Sequence, residues 1–290
     1  MKQFTAFCSS VFPLGFYCLF AFLWLFGMQA IIVMYESHSI SIGLDDVGVW
    51  LVVILLLLFT RLVDEVKDYE YDKINNPERP LVTGAVSRKQ ILIYSTMTGA
   101  LIVALNQSTG SSVLPLSVCI YTLLIWGADK KISAVSTLPF FALMITFPVS
   151  IQIYYYVLFY TLKKYEILFE YSHLLLPMSC MLSFLALEIL RKTRWETHQE
   201  GLYSTQIGPV AAHLCGVVCG VLGVAFGYYL VRPVGTFEHM ILFLPYVFLL
   251  MAIVNFFLFK CRKRSSRFYA VIFLLSFYAV NLVVAVSRGV

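Results

Sequence analysis

Charged residues are scarce in this chain. They make up 13% of its 290 residues, whereas a soluble domain carries roughly 25%. No polar stretch is long enough to bury a hydrophobic core of its own. Since 60% of the residues are hydrophobic and the mean hydropathy is +0.83, we expect lipid to be the main solvent. The composition excludes a soluble protein and predicts one polytopic domain over residues 1–290.

The sequence also lacks the cysteine and histidine spacings of a zinc site, and none of its 7 cysteines forms a C-x-x-C pair. Most of them fall in apolar segments, where small buried thiols are expected. The first residues run into an apolar segment without a small-residue cleavage site, which favours a first membrane span over a removed signal peptide. No pattern of aromatic and basic residues indicates a nucleic-acid partner.

Long apolar segments are abundant instead. A membrane-spanning helix needs about 20 mostly apolar residues, and the sequence offers a series of such segments. They cover residues 11–35, 46–72, 87–106, 112–127, 133–158, 172–194, 207–231, 237–259 and 267–287. We therefore predict an all-α integral membrane protein with about nine transmembrane helices.

Lysine and arginine are distributed unevenly between the connecting segments. With a cytoplasmic N-terminus, 17 of the 21 basic residues fall in cytoplasmic segments, as the positive-inside rule requires. The C-terminus is then expected outside. The net charge of +5 follows from this bias and favours contact with anionic membrane lipids. Short loops and the absence of a transit peptide favour a bacterial or archaeal inner membrane.

An acidic run closes the second predicted span. Asp64, Asp68 and Asp72 are spaced four residues apart, so on a helix they share one face over roughly 12 Å. Unpaired like charges repel and are costly near a membrane, so this row favours bound cations. Mg²⁺ is suited to such hard oxygen ligands and commonly takes one or two carboxylates plus substrate phosphates. Glu65 and Glu70 lie off this face and are interpreted as surface charges.

A loop with two prolines follows the acidic run. Pro77, Pro80 and Gly84 are expected to stop the helix and to give the loop a fixed shape. Arg79 lies within it and can meet a phosphate in bidentate fashion. Ser87 fits as the N-cap of the third span. The segment therefore combines carboxylates with a phosphate-binding side chain.

The aspartates and the loop together resemble the first motif of the UbiA superfamily of intramembrane prenyltransferases. The residues that carry the resemblance are Asp64, Asp68, Asp72, Asn76, Pro77, Arg79, Pro80, Leu81 and Gly84. Glu65 takes the second position of the motif, and Arg61 precedes the motif by three residues. The resemblance implies a UbiA-like helical bundle with a central cavity open to the cytoplasmic side.

The resemblance also implies roles for individual residues. The implied catalytic residues are Asp64, Asp68, Asp72 and Arg79. The second motif of the family contains no aspartate here, and glutamates replace it, so the implied metal ligands are Asp64, Asp68, Glu196 and Glu200, with Glu188 as an alternative. The implied diphosphate-binding residues are Arg61, Arg79, Lys130, Lys131, Arg191 and Lys192.

The implied reaction is prenyl transfer. Two Mg²⁺ ions held by the two motifs would assist ionisation of a prenyl diphosphate donor, and an aromatic or lipid-like acceptor would capture the allyl cation. One alternative is a UbiA-type terpene cyclase, in which the same cation closes on itself. Another is an ion-coupled transporter, although such sites tend to lie near the bilayer midplane. A CDP-alcohol phosphatidyltransferase is disfavoured because its D-G-x-x-A-R core is absent.

Overall fold

A computed structural model of the chain describes residues 2–106, 113–129, 138–195, 201–259 and 265–289. Within these ranges the protein consists of α-helices, one 3₁₀ turn at Tyr171–Leu175 and no strand. The first six helices are α1 Lys2–Ser10, α2 Leu14–Tyr35, α3 Leu44–Lys67, α4 Tyr69–Asn75, α5 Arg88–Asn106 and α6 Val113–Asp129. The others are α7 Pro139–Lys164, α8 Met178–Arg191, α9 Tyr203–Ile207, α10 Pro209–Val231, α11 Thr236–Leu242, α12 Leu244–Phe259 and α13 Ser265–Arg288.

Seven helical segments in the described ranges are long and apolar enough to cross a membrane. They are Leu14–Tyr35, Leu44–Lys67, Pro139–Lys164, Tyr171–Arg191, Pro209–Val231, Thr236–Leu258 and Arg267–Arg288. The predicted all-helical, integral membrane protein is thus confirmed. The third and fourth predicted spans also form helices, α5 and α6, but α6 is short and α5 is interrupted by polar residues.

The chain forms two compact units. The first comprises Met1–Phe22 and Ile42–Ser133, and the second comprises Leu23–Ser41 and Ala134–Val290. In the first unit, α3 packs against α5 and α6. Its buried side chains recur every three or four residues, as one helix face requires; they include Val49, Val52, Val53, Leu56, Phe59, Leu62 and Val63.

In the second unit, α10 approaches α8 closely. Gly216 and Gly223 lie on the contact face of α10, and a Cβ atom on Gly223 would meet the Ser183 backbone nitrogen at 2.8 Å. The same atom would lie 3.0 Å from the Ser179 carbonyl oxygen. Small residues let two membrane helices approach at backbone distance, so the glycines of α10 determine how closely α8 packs.

We expect Gly223→Ala to lower the melting temperature of the protein in detergent. The added methyl group meets backbone atoms that have no free rotamer, and such overpacking destabilises by about 1–3 kcal/mol. Gly48→Ala is the matched control, since a Cβ atom there meets nothing within 4 Å. Thermal unfolding of both variants measures the difference, and equal melting temperatures would contradict the close approach.

Candidate functional site

The acidic run spans a break between two helices. α3 ends at Lys67, because Asp68 adopts φ −85° and ψ 8°, and α4 begins at the next residue. The prediction of one helix through residue 72 is therefore wrong. Helical hydrogen bonds nevertheless continue through the break: the N–H groups of Asp68, Asp72 and Asn76 donate to the carbonyl oxygens of Asp64, Asp68 and Asp72, each at 2.8 Å. These bonds preserve the four-residue repeat of the aspartates.

Asp64 and Asp68 share one cation. The Nζ atom of Lys67 lies 3.2 Å from Asp64 Oδ1 and 3.5 Å from Asp68 Oδ1. The two carboxylate side chains are 41% and 43% exposed, so a ligand can reach both. The pKa of Asp68 is raised to about 6, first because partial burial disfavours its charged form and second because Asp64 is a neighbouring like charge. An additional cation at this pair is therefore favourable.

Asp72 differs from the other two aspartates because its side chain is only 6% exposed. Its Oδ1 atom accepts a hydrogen bond of 2.6 Å from the Asn76 side-chain amide. Its Oδ2 atom lies 4.0 Å from Arg79 Nε. These contacts connect the acidic run to the loop, so Asp72 holds the loop and Arg79 in place.

Glu65 is buried, and its interpretation as a surface charge is wrong. Its side chain is 1% exposed, and Oε1 accepts a hydrogen bond of 2.8 Å from Arg61 Nη2. Arg79 Nη1 donates to the same oxygen across 14 residues of sequence. The four-residue spacing of Arg61 and Glu65 on one helix is the sequence signal that indicates the first contact.

The loop that carries Arg79 folds on itself. The Arg79 carbonyl oxygen accepts hydrogen bonds of 2.9 Å from the N–H groups of Val82 and Thr83. Gly84 has φ +76°, which only glycine adopts without strain. The Ser87 N–H group donates to the Gln90 side-chain oxygen, and the Gln90 N–H group donates to the Ser87 hydroxyl. This capping box confirms Ser87 as the N-cap of the third predicted span.

At the end of α8, Glu188 is paired with both predicted diphosphate-binding residues there. Arg191 donates to its carboxylate twice, at 2.6 and 2.7 Å, and Lys192 Nζ lies 3.1 Å from Oε1. The carboxylate is thus neutralised by two cations. The remaining residues that the resemblance implies lie outside the described part of the chain; they are Lys130, Lys131, Glu196 and Glu200.

Tyr203 is a polar residue of this region that sequence reasoning missed. Its N–H group donates to the Lys192 carbonyl oxygen at 3.2 Å. Its ring centroid lies 5.9 Å from Lys192 Nζ. The hydroxyl group is buried and finds no hydrogen-bond partner within the described ranges. Burial raises the pKa of Tyr203, so the phenol stays a donor beside Lys192.

The donor set of the acidic run fits a hard divalent cation. Among the described residues, no three His, Cys, Asp or Glu side chains gather into a complete metal site. Asp64 and Asp68 offer two carboxylates that already share one cation. Mg²⁺ commonly takes one or two carboxylates and fills its other positions with water and substrate phosphate. The two carboxylates therefore fit a metal ion whose remaining coordination positions are filled by water and a phosphate ligand.

The chain has short stretches of close sequence similarity to known enzymes, although no family model matches it. It is 53% identical over 47 residues to the digeranylgeranylglyceryl phosphate synthase of Thermococcus kodakarensis. It is 41% identical over 51 residues to the enzyme of the same name from Thermococcus sibiricus. The alignments cover 16% and 18% of this chain and span only 17% and 18% of these relatives.

The fold has a solved counterpart. The matching structure is described as giving structural and mechanistic insights into the biosynthesis of digeranylgeranylglyceryl phosphate synthase in membranes. The two chains align with a TM-score of 0.61 at 16% sequence identity, over 99% of this chain and 100% of the other. At that identity the likeness shows a shared fold. The local sequence similarity and the shared fold both point to digeranylgeranylglyceryl phosphate synthases as enzymes that this chain is similar to.

Proposed function

We propose that the protein moves a prenyl group from a polyprenyl diphosphate donor to an aromatic or lipid-like acceptor. The observation that carries the proposal is the pairing of Asp64 and Asp68 on one cation, in the same compact unit as two arginines bound to one carboxylate. This arrangement offers a metal ligand set and guanidinium donors, which a diphosphate needs. The name of the Thermococcus relatives supports a lipid-like acceptor.

The residues of the first motif would have different roles in metal and diphosphate binding. When bound, Mg²⁺ would supply Lewis-acid stabilisation to the leaving diphosphate. Asp64 and Asp68 would hold it, and Arg61 and Arg79 would donate hydrogen bonds to diphosphate oxygens. Asp72 would keep the Arg79 loop in place. The C–O bond at C1 of the prenyl group then breaks, and its electron pair stays on the diphosphate.

Transfer is completed on the acceptor. A hydroxyl oxygen or ring carbon of the acceptor forms the new bond to C1 and loses one proton, so the products are prenylated acceptor and diphosphate. Arg191 and Lys192, whose side chains are 40% and 35% exposed, would provide further positive charge. Lys130 and Lys131 are proposed as additional diphosphate contacts, and Glu196 and Glu200 as ligands of a second ion.

The experiment that tests this proposal is mass spectrometry of reaction products. The purified protein in lipid nanodiscs is incubated with Mg²⁺, prenyl diphosphates of several lengths, and either a prenylated glycerol phosphate or a hydroxybenzoate. We expect an acceptor whose mass has grown by the prenyl group. A hydrocarbon or cyclic alcohol formed without acceptor would indicate a terpene cyclase. Solute counterflow without any turnover would indicate a transporter, and either result would contradict the proposal.

Metal removal gives a second measurement on the same preparation. Because two described carboxylates do not complete the coordination of Mg²⁺, we expect the ion to exchange freely and EDTA to stop turnover. Addition of excess Mg²⁺ should restore it, whereas Ca²⁺ should restore less because its larger radius weakens phosphate polarisation. Unchanged turnover in EDTA would contradict a metal-dependent reaction.

We also propose a bacterial or archaeal inner membrane, with a cytoplasmic N-terminus, an outside C-terminus and a cavity open to the cytoplasm. The bias of 17 in 21 basic residues supports this orientation. Reporter fusions to the two termini test it, because a reporter that is active only outside the cytoplasm should respond at the C-terminus alone. Activity at the N-terminus would reverse the orientation.

A further inference from the structure

Glu65 holds two arginines on one carboxylate oxygen. Its Oε1 atom accepts from Arg61 Nη2 at 2.8 Å and from Arg79 Nη1. The other oxygen, Oε2, is buried and has no hydrogen-bond partner in the part of the chain that the structure describes. Arg61 Nε is likewise buried and has no hydrogen-bond partner among the described residues. The carboxylate is therefore fully buried, but only one of its two oxygens accepts hydrogen bonds.

This arrangement is costly for folding alone. Two guanidinium groups on one oxygen repel each other, and a buried carboxylate oxygen without a donor destabilises the folded state. Buried polar atoms without partners are uncommon in native structures and call for an explanation in terms of function. The explanation has to involve the arginines, because Glu65 itself is 1% exposed and cannot be reached.

The two arginines remain accessible. The side chains of Arg61 and Arg79 are each 25% exposed, so each arginine keeps contact with the solvent. A guanidinium has five N–H donors in a fixed fork, and the contacts with Glu65 use only one terminal nitrogen of each. The terminal nitrogens of the two arginines that do not bond Glu65 suit an anion with several oxygen atoms.

We propose that Glu65 is a positioning residue for diphosphate binding, an inference that rests on the proposed prenyl transfer. Its carboxylate keeps Arg61 and Arg79 side by side when no anion is present, so that both forks are ready when the diphosphate arrives. Glu65 touches no substrate and acts only through these two arginines. Preorganised donors bind an anion more tightly because their ordering has already been achieved in the free protein.

The proposal predicts that loss of the Glu65 carboxylate weakens anion binding, which is the opposite of what simple electrostatics predicts. Removing the negative charge of Glu65 makes the region more positive, so charge alone would tighten the binding of an anion. Loss of positioning would weaken it, because the two guanidinium groups would separate. The direction of the change in affinity therefore separates the two effects.

The experiment measures binding of inorganic pyrophosphate with Mg²⁺ to the full-length protein in detergent by isothermal titration calorimetry. For Glu65→Gln we expect binding about tenfold weaker than in the wild type, the loss of about one charge-assisted contact. Glu70→Gln is the matched control. It removes the same charge from the same segment, but Glu70 is 76% exposed and pairs with Lys73 and Arg88 instead. Its affinity should match that of the wild type.

A second variant keeps the inference testable if Glu65→Gln fails to fold. Glu65→Asp retains the charge but shortens the side chain by one methylene, so one oxygen can no longer reach both arginines. We expect weaker pyrophosphate binding with a nearly unchanged melting temperature. Affinity equal to the wild type in Glu65→Asp, or equal to or tighter than Glu70→Gln in Glu65→Gln, would overturn the role of Glu65 alone. Absence of pyrophosphate binding in the wild type would overturn the proposed function as well.

Discussion

Asp68→Ala is expected to abolish diphosphate release from a prenyl diphosphate. The variant removes one of the two accessible carboxylates that share a cation, and the remaining Asp64 cannot hold a divalent ion as firmly. Lewis-acid stabilisation of a leaving group contributes several kcal/mol, so turnover should fall by at least about 1000-fold. Pyrophosphate release and product mass are measured together in nanodiscs.

The control for this variant is Glu70→Ala, which removes a carboxylate two residues away that is fully engaged with exposed cations. It should retain most of the activity. Expression and membrane insertion of Asp68→Ala should match the wild type, since the Asp68 side chain is 43% exposed. Full activity in a correctly inserted Asp68→Ala protein would refute the metal-binding role of the acidic run.

Arg79→Lys is expected to lower kcat/KM for the prenyl diphosphate by about 100-fold, because removal of one preorganised donor at a developing negative charge commonly has that effect. The substitution retains the positive charge but loses the planar fork, which bonds Glu65 and on the proposed function would also bond a phosphate. Lysine can make one of these contacts but not both in the same geometry. Steady-state kinetics with varied donor concentration provide the measurement.

Arg88→Lys is the matched control for this substitution. Arg88 is 55% exposed and pairs with Glu70 at 3.6 Å, apart from the Glu65 cluster. Its replacement by lysine should leave kcat/KM within about twofold of the wild type, as is usual for exposed ion pairs. If both variants lose the same activity, the requirement is for general positive charge and not for the fork of Arg79.

The placement of Asp64 and Asp68 on one accessible face is predictable from the sequence, because helical periodicity is a local property. A four-residue spacing brings the two side chains together whether or not the helix continues, and here both reach Lys67. The N-cap at Ser87 is predictable for the same reason, since its partner Gln90 is three residues away.

The environment of Glu65 could not be predicted in this way. Its burial depends on Arg79, 14 residues later, and on a loop whose path is fixed by Asp72, Asn76 and Gly84. Helical periodicity relates only residues within one helix, so it cannot predict a contact with a loop that folds back onto that helix. The end of α3 at Lys67 is similar, because the alternation of acidic and apolar residues continues past the break at Asp68.

Helices are predictable from the sequence at each of the predicted spans, but their hydropathy differs. Seven predicted segments correspond to long apolar helices among the described residues. α5 carries Ser95 and Thr98 on its buried face, where their hydroxyls bond carbonyl oxygens four residues earlier. Such self-satisfied hydroxyls lower the average hydropathy without making the helix soluble, so α5 is a predicted span that is not among the seven.

The position of Lys67 between Asp64 and Asp68 has a consequence for the stability of the protein without divalent ions. The ammonium group is a tethered counter-ion, so the two carboxylates are not left as bare neighbouring anions when divalent ions are scarce. On the proposed metal-binding role, uptake of a divalent ion would replace the ammonium group of Lys67 as the counter-ion of the two carboxylates. For the proposed metal-dependent transfer, we expect chelation to stop turnover without unfolding the protein, and added Mg²⁺ to restore activity to a chain that has stayed folded in the membrane.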